Sequence, residues 1–322
     1  MSFLLFGRKK TKILVCFNII SYFCKKIIMI SLIICSRNPI ISEDLKQNIE
    51  STIGTNYEFV VVDNSLNNYS IFAAYNKALT IAKGDLLCFM HEDILYRTNN
   101  WGQKLESYFN AYERVGMVGV AGGHYLPDMP AAWWDTEMRS GQLLQGSVVD
   151  GEYKIIEEES WLEYKSNPTR VVSVDGLWMC FRKELFNDIR WDDHVFNGFH
   201  SYDTDISLQV WKAGYEVHIF WDILIEHKSV GKAQTEFYNS LDLLYEKWHN
   251  DLPMIKGVDI SDGERVARKR IAELRHELFF SNYKLKQICS SRQYRWSGYL
   301  QHPSLLLNRI LHHIKRIMRL EK

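Results

Sequence analysis

The chain has 322 residues, 46% of them hydrophobic and 24% charged, which is the composition of a globular protein with a packed core and excludes a largely disordered chain. Its formal net charge is zero, but both ends are basic, and residues 29–264 between them hold 19 basic against 36 acidic residues. Because nucleic-acid binding needs a basic surface, this acidic body argues against nucleic acid as a partner.

The first part of the chain alternates apolar strands with amphipathic helices. Residues 30–35 form a continuous apolar run, which is typical of a strand buried on both faces. The pattern continues with a helix over 42–52, a strand over 57–62, a helix over 70–83, a strand over 85–90, a helix over 101–112 and a short strand over 117–121. This alternation predicts a mostly parallel central sheet flanked by helices.

The periodicity is lost over residues 122–169, which predicts a long binding loop or lid. Strand character returns over 171–181. A helix over 205–213, short strands over 216–220 and 223–226, and a helix over 236–249 complete the α/β region. Leu252-Pro253 marks its predicted end.

The two ends of the chain predict extensions outside this α/β region. The apolar run within residues 13–23 is about half the ~20 residues that a membrane span needs. Basic helices are predicted over 264–287 and 304–320, and the second is amphipathic. It is expected to lie on an anionic membrane surface, on its own domain or on a second subunit. The predicted organisation is an N-terminal extension (1–28), an α/β domain (29–255) and a basic helical C-terminal extension (256–322).

The six cysteines have no CxxC pair and no regular spacing. This pattern predicts reduced thiols in a cytoplasmic protein, peripheral on the membrane if the basic end binds lipid, and neither a disulfide framework nor a zinc site.

Polar residues cluster where three predicted strands end, at Ser36-Arg37-Asn38, Asp63-Asn64-Ser65 and His91-Glu92-Asp93. In an open parallel sheet, ligands bind outside the carboxyl ends of the strands. The sequence therefore predicts a ligand site at this edge.

Residues 29–228 resemble the nucleotide-sugar-binding glycosyltransferases of the GT-A fold, in particular the family-two-like enzymes of bacterial surface polysaccharide synthesis. The order and spacing of several segments carry the resemblance: ISLIICSRN, YEFVVVDNS, AYNKALTIAKGDLLCFMHED, VDGLWMCFRKELF, FHSYDTDISLQVWKAGYEV and IEH. The resemblance implies a GT-A fold and transfer of a sugar from a nucleotide-sugar, with a UDP-sugar favoured, to a glycan or lipid-linked saccharide.

The resemblance also implies a divalent cation, Mn²⁺ or Mg²⁺. Asp93 matches the last aspartate of the family's Asp-x-Asp metal motif, and His227 matches a second ligand position. His91 stands where the first aspartate is expected, which removes one carboxylate from the pattern. An imidazole ligand favours Mn²⁺ somewhat over Mg²⁺.

Donor contacts follow from the same resemblance. Asp63 matches the acidic residue that binds the base, most often uracil, and Asn76 and Lys83 match positions near the ribose and diphosphate. Tyr75 stands where the family often has an arginine. The implied donor-binding residues are Ser36, Arg37, Asp63, Asn64, Asn76, Lys83, His91 and Glu92.

The catalytic base is expected at Asp203, because Tyr202-Asp203 stands where the family has a Glu-Asp pair. Asp205 is expected to be a helix cap or an acceptor contact, and inversion at the anomeric carbon is inherited from the family. The residues implied at the acceptor are Asp175, Gly176 and Trp178, joined by Trp133 and Trp134 as sugar platforms or as core anchors.

Three rival functions differ in what they require. A dinucleotide-binding dehydrogenase needs GxGxxG after the first strand, where this chain has no glycine. A nucleotidyltransferase needs a glycine-rich basic loop at the same place. A catalytically silent GT-A-like domain that binds glycan or scaffolds a complex remains an alternative, since His91 and Tyr202 depart from the family pattern.

Overall fold

The apolar run that opens the pattern is a buried strand in the computed structural model of the chain, which describes residues 28–229 and 235–290. In chain order the strands are β1 (Ile30–Ser36), β2 (Tyr57–Asp63), β3 (Leu86–Met90), β4 (Ile94–Tyr96), β5 (Val115–Gly119), β6 (Ala121–Gly123), β7 (Tyr125–Leu126), β8 (Arg139–Val149), β9 (Glu152–Trp161), β10 (Thr169–Arg170), β11 (Ser173–Val174), β12 (Trp178–Arg182), β13 (Glu216–Ile219), β14 (Ile225–His227) and β15 (Met254–Ile255). The helices are α1 (Glu43–Thr52), α2 (Ile71–Leu79), α3 (Trp101–Ala111), α4 (Tyr202–Lys212), α5 (Thr235–Trp248) and α6 (Asp262–Ser290).

The larger sheet has seven strands in the order β10-β13-β5-β12-β3-β1-β2. Five of them run in the same direction, and β10 and β12 run against them. The predicted mostly parallel sheet is thus confirmed. The parallel register of β1 with β2 places Ser36 beside Asp63. Because β3 pairs in parallel on the other side of β1, His91 follows at the same edge.

The first helices begin at the serines that the sequence pattern indicates. The Ser42 hydroxyl accepts the Leu45 N–H at 3.3 Å, and the Ser70 hydroxyl accepts the Ala73 N–H at 3.2 Å. Each bond satisfies one donor that the first helical turn leaves free. Helix α2 ends at Leu79, before the predicted residue 83. The N–H groups of the next two residues donate to carbonyls three residues earlier, which is a tighter turn than that of an α-helix.

The core beside the large sheet is formed by β1, β3 and β12 against α1 and α3. The helices contribute buried side chains at four-residue spacing, which places them on one face. Full burial of such a side chain contributes roughly 1.5–3 kcal/mol. This packing fixes the helices against the sheet whose carboxyl edge carries the polar residues. The buried helix positions are Leu45, Ile49, Trp101, Leu105 and Phe109.

The predicted long loop over 122–169 is wrong, because its centre is a β-hairpin. Strands β8 and β9 pair antiparallel from Gly141–Trp161 to Val149–Glu152 and belong to a second sheet, β11-β6-β8-β14-β4, in which β9 extends from β8. Most of β9 is exposed on both faces. An exposed strand needs no alternation of apolar and polar residues, so its sequence carries no period-two signal.

The described residues form two compact units, which divide between Ile260 and Ser261. The predicted domain boundary at 255/256 lies five residues earlier. In the second unit α6 carries exposed Leu274, Leu278 and Leu285 and its own Arg–Glu pairs. Among the described helices, none is both long and apolar enough to cross a bilayer. The predicted helix over 304–320 and all but the last residue of the predicted N-terminal extension lie outside the described residues.

Candidate functional site

Two histidine rings and one carboxylate meet at the carboxyl end of β3. His91 and Asp93 follow that strand directly, and the His91 N–H donates to the Leu177 carbonyl at 3.0 Å. His227 ends β14, which pairs antiparallel with β4 and places His227 opposite Ile94. Strand pairing therefore brings together the His91 triad, formed by His91, Asp93 and His227.

The distances within the His91 triad suit a divalent cation. One ligand atom from each residue lies within 4.8 Å of the other two. His91 Nδ1 is 3.9 Å from Asp93 Oδ1, and His227 Nε2 is 3.5 Å from Asp93 Oδ2. Ligands about 2.1 Å from an ion lie roughly 3.0–3.4 Å apart, so side-chain shifts of under about 1 Å would close the site. The donor set of two imidazoles and one carboxylate fits Mn²⁺ better than Mg²⁺.

The electrostatics of the triad favour the forms that bind metal. Burial by itself raises the pKa of Asp93, but hydrogen bonds from His227 and Ser229 and the proximity of the two histidine rings outweigh it and hold that pKa well below its usual range. Burial lowers the pKa of His91, which Asp93 only partly offsets. An ionised carboxylate and a neutral imidazole are the states required of metal ligands.

A cavity of about 880 Å³ opens on one side of the triad. We name it the Arg37 cavity, after the cationic side chain in its wall. The Arg37 guanidinium lies 5.9 Å from the Phe199 ring centroid. Its wall also contains Cys35, Tyr75 and Glu92, together with Glu236 and Asn239 of α5.

Glu92 joins the ends of β1 and β3 beneath the Arg37 cavity. Its carboxylate accepts the Ser36 hydroxyl and, at 3.2 Å, the Arg37 N–H. The predicted donor-side residues Ser36, Arg37, His91 and Glu92 are therefore neighbours. Ser36 and Glu92 are occupied with each other, which leaves the Arg37 side chain and the triad to face a ligand.

A second cavity of about 440 Å³ lies on the other side of the triad and shares His91 and His227 with the first. We name it the Asp203 cavity. Three indoles and three carboxyl groups contribute to its wall. Two buried donors in this wall, Trp133 Nε1 and Arg139 Nε, have no hydrogen-bond partner among the described residues. The full set of indole and carboxyl residues is Trp133, Trp134, Trp161, Glu159, Asp175 and Asp203.

Asp203 is held in the first turn of α4 at the wall of this cavity. Its Oδ2 accepts the Gly176 N–H at 3.2 Å and its Oδ1 accepts the Thr204 N–H at 2.8 Å. Burial, followed by the nearby Asp175 carboxylate, raises the pKa of Asp203 to about 7. A carboxyl group with that pKa exchanges a proton near neutral pH, as a general base must.

Asp205 does not join this site, which corrects its predicted catalytic or acceptor role. The side chain is 1% exposed and lies inside the protein beneath α4. Its carboxylate accepts from the Trp248 indole at 2.8 Å and pairs with Lys247 at 2.7 Å. The predicted cap is also wrong, since Asp205 is inside the helix and the residue before the helix is Ser201. Asp205 joins α4 to α5.

Three predicted donor contacts lie elsewhere. The Asn64 amide exchanges two hydrogen bonds of 2.9 Å with the Tyr69 backbone and closes its own loop. Asn76 donates to the Trp191 carbonyl at 2.7 Å and borders a separate cavity. Successive helical residues point about 100° apart, so of the neighbours Tyr75 and Asn76 it is Tyr75 that lines the Arg37 cavity. Lys83 precedes β3 and so lies at the amino end of the strand, opposite the triad.

Asp63 is exposed beside Ser36, and its carboxylate accepts the Ser65 N–H at 2.9 Å. That hydrogen bond lowers the pKa of Asp63. Asp63 is not among the residues that line the Arg37 cavity, so its predicted contact with a base stays a prediction.

The predicted acceptor residues divide into two groups. Asp175, Gly176, Trp133 and Trp134 line the Asp203 cavity. Both indoles also pack in a small core with Leu143, as the predicted anchor role requires, and the role of sugar platform stays a prediction. Trp178 is fully buried, and its indole N–H donates to the Tyr96 hydroxyl at 3.0 Å. It belongs to the core, which corrects its predicted acceptor role.

The structure adds residues that the sequence pattern does not identify. His91 joins Asp93 and His227 as a third candidate metal ligand. It occupies a metal-ligand position of the family motif, but the sequence pattern does not assign it to the metal because the residue is not an aspartate. Glu159, Arg139 and Trp161 enter through the β8–β9 hairpin. They follow no motif, so no local signal in the sequence marks them.

Comparison with known proteins supports the resemblance. Residues 31–241 match the model described as a glycosyltransferase like family. The streptomycin biosynthesis protein StrF of Streptomyces griseus is 25% identical over 207 residues, which cover 62% of this chain and 65% of StrF. The chain thus spans slightly less than two thirds of that relative. The crystal structure of GalNAc-T7 with UDP, GalNAc and Mn²⁺ aligns with a TM-score of 0.47 at 12% identity, over 83% of this chain and 64% of that one. Residues 1–349 of S. aureus TarS align with a TM-score of 0.43 at 13% identity, over 82% and 75%.

Proposed function

Because this chain belongs to the glycosyltransferase-like family, we propose that it transfers a sugar from a nucleotide-sugar to an acceptor hydroxyl with inversion. The observation that carries the proposal is the position of the His91 triad between two cavities, with Asp203 in the wall of one of them. A donor on one side and an acceptor on the other would meet at the triad.

The Arg37 cavity is the proposed donor site. Its volume lies within the roughly 300–1,000 Å³ that is usual for ligand cavities. Arg37 supplies positive charge for the diphosphate, and Tyr75 and Phe199 supply ring faces. Asp63, which lies beside Ser36 at the end of β2, is the proposed contact to the imide N–H of uracil, and this assignment favours a UDP-sugar.

The His91 triad is the proposed site of Mn²⁺ or Mg²⁺. When bound, such an ion stabilises the negative charge that grows on the leaving diphosphate. The protein's part is to hold the two imidazoles and the ionised Asp93 carboxylate in place. Donor oxygens would complete the coordination, which for hard divalent ions exceeds three ligands.

Asp203 is the proposed general base. Its carboxylate takes the proton of the acceptor hydroxyl as that oxygen attacks the anomeric carbon, a contribution of about 10²–10⁴-fold. One base acting on the face opposite the leaving group inverts the anomeric centre. The Gly176 and Thr204 N–H groups hold the carboxylate in position.

The Asp203 cavity is the proposed acceptor site, for a glycan or a lipid-linked saccharide. Its indoles offer apolar faces for sugar rings. Hydroxyl oxygens of a saccharide supply acceptors for the two buried donors, Trp133 Nε1 and Arg139 Nε. Such donors are costly to leave unpaired, so they favour a hydroxylated ligand.

We further propose that the basic C-terminal region associates with the cytoplasmic face of the membrane. Residues 265–322 carry fourteen basic and three acidic side chains, and each basic group near an anionic surface contributes about 1 kcal/mol. Removing residues 264–322 should abolish co-sedimentation with vesicles that contain anionic lipid. Unchanged co-sedimentation of the truncated protein would contradict this part of the proposal.

Calorimetric titration of UDP, with GDP as a control, tests the donor site in the presence of Mn²⁺, Mg²⁺ or EDTA. We expect UDP binding that requires the cation. Binding of GDP alone would remove the assignment of Asp63 to uracil. Failure of both nucleotides to bind would favour the catalytically silent alternative, and turnover of UDP-sugars would exclude it.

A further inference from the structure

The ring of one histidine of the triad, His91, is held by a tyrosine hydroxyl. The Nε2 atom of His91 lies 2.9 Å from the hydroxyl of Tyr202, the first residue of α4. Its other ring nitrogen, Nδ1, faces Asp93 at 3.9 Å. His91 therefore presents one nitrogen to the proposed ion and the other to a tyrosine.

A neutral imidazole carries one N–H, and its other nitrogen has the lone pair that binds a metal. If Nε2 carries the proton and donates to the Tyr202 oxygen, the lone pair is on Nδ1 and points to the ion site. If Nδ1 carries the proton, His91 cannot bind the ion through Nδ1, the nitrogen that faces Asp93. A hydrogen bond to the nitrogen away from the metal orients the ring, and a tyrosine hydroxyl, which can donate or accept, can accept the proton that metal binding at Nδ1 leaves on Nε2.

We propose that Tyr202 is a positioning residue, whose hydroxyl accepts the Nε2–H of His91 and so orients the ring with Nδ1 toward the divalent cation. This inference rests on the proposed metal site of the His91 triad. In this role Tyr202 acts through His91, which its hydroxyl contacts.

The Tyr202 ring is held rigidly enough for this role. It is 5% exposed and packs against the rings of Phe72 and Tyr75, with ring centroids 6.4 and 5.9 Å away. On another side it lies over Gly176, where an added Cβ would be 2.2 Å from the Tyr202 hydroxyl. Any larger residue at position 176 would push the hydroxyl away from its place. The glycine thus leaves room for the tyrosine beside His91.

The contact also links two departures from the family pattern. His91 stands in place of an aspartate and Tyr202 in place of a glutamate, and the two side chains touch. A carboxylate ligand has no tautomer to select, whereas an imidazole ligand does. When an imidazole replaces the carboxylate, the ring nitrogen away from the ion needs a hydrogen-bond partner, and the Tyr202 hydroxyl is that partner.

The test compares Mn²⁺ binding by the full-length wild type and by Tyr202→Phe, measured by calorimetry without nucleotide. We expect the affinity to fall about 10–100-fold, the usual effect of losing such an outer partner. Tyr108→Phe is a matched control, because it removes a tyrosine hydroxyl that lies 3.1 Å from Nδ1 of a different histidine, His218. That variant should bind Mn²⁺ within about twofold of the wild type.

Equal Mn²⁺ affinity in Tyr202→Phe and wild type would overturn this inference and leave the proposed function standing. A wild type that does not bind Mn²⁺ would remove the metal site, and with it this inference and the metal-dependent part of the proposed function. If Tyr202→Phe fails to fold, ¹⁵N NMR of the histidine rings in the wild type, with Zn²⁺ as a diamagnetic probe, decides the question. Metal on Nδ1 and a proton on Nε2 of His91 is expected, and the reverse would overturn the inference.

Discussion

Two regions of this protein combine histidine, carboxylate and a tyrosine hydroxyl, and they differ in what the ring nitrogens face. In the His91 triad, Nε2 of His91 meets Tyr202, but Nδ1 points toward Asp93 beyond hydrogen-bond distance, at the junction of two cavities. The second region is the His218 cluster, formed by Tyr108, Arg170, Glu216 and His218.

In the His218 cluster both ring nitrogens have partners. His218 Nε2 is 2.9 Å from Glu216 Oε2, and Nδ1 is 3.1 Å from the Tyr108 hydroxyl. Arg170 adds a hydrogen bond of 2.8 Å to the same carboxylate. A cluster whose members satisfy one another stabilises the fold. The comparison shows that residue types alone do not identify a site, whereas a nitrogen left available at a cavity does.

Replacing one carboxylate in each region should separate the two most clearly. We expect Asp93→Ala to remove Mn²⁺-dependent UDP binding and to reduce turnover by on the order of 10³-fold or more, since the ion loses its anionic ligand. Glu216→Gln should leave turnover within about twofold. It should lower the free energy of unfolding by about 1–3 kcal/mol. The effect should lie toward the lower end of that range, because solvent screens the half-exposed Arg170 side chain. Calorimetry, turnover and thermal unfolding measure these effects. Loss of activity in Glu216→Gln with an intact fold would break the comparison.

A second pair of variants sharpens the distinction on a single helix. Asp203→Asn should reduce turnover by about 10²–10⁴-fold with unchanged UDP binding, because the proposed base is lost while the donor site is not. It should also raise the melting temperature at pH 8, since the wild type must ionise a buried carboxyl group there. Asp205→Asn should act mainly through stability, because it weakens the pair with Lys247. Equal turnover in Asp203→Asn and wild type would exclude Asp203 as the base.

The proposed base beside the triad, Asp203, and the His218 cluster should also respond to pH in separate ranges. Asp203, whose pKa is raised to about 7, must lose its proton to act, so turnover should fall about tenfold per unit below pH 7. Burial by itself raises the pKa of Glu216, but Arg170 and His218 outweigh it and lower that pKa. Its stabilising contribution is therefore present above the usual glutamate pKa near 4.5 and is lost as pH falls below it. Rate and unfolding profiles that moved together would contradict this separation.

Much of the first half of the fold was predictable from local pattern. Strands β1 and β3 are buried in the middle of a sheet, so they are continuous apolar runs, and Ser42 and Ser70 mark the helix starts. The β8–β9 hairpin was not predictable, because an exposed strand such as β9 is not constrained to bury one face. The same hairpin brings Arg139, Glu159 and Trp161 to the Asp203 cavity.

The candidate site shows the same division between local and long-range information. The order of motifs pointed to Asp93, Asp203 and His227, whose roles remain predictions. Asp203 and Asp205 look equivalent in the sequence, two residues apart at a helix start. They differ because Lys247 and Trp248 arrive from α5 and bind Asp205, while Asp203 borders a cavity.

The sequence by itself determined the mostly parallel α/β sheet, the family and the edge at which polar residues collect. Those features follow from short-range periodicity and from the ordered spacing of motifs. Only the tertiary structure decided that His91 joins the triad, that Tyr202 contacts it and that Trp178 and Asp205 belong to the interior. The physical reason is that burial and hydrogen bonding depend on partners from distant parts of the chain, and those partners meet only after the strands have paired.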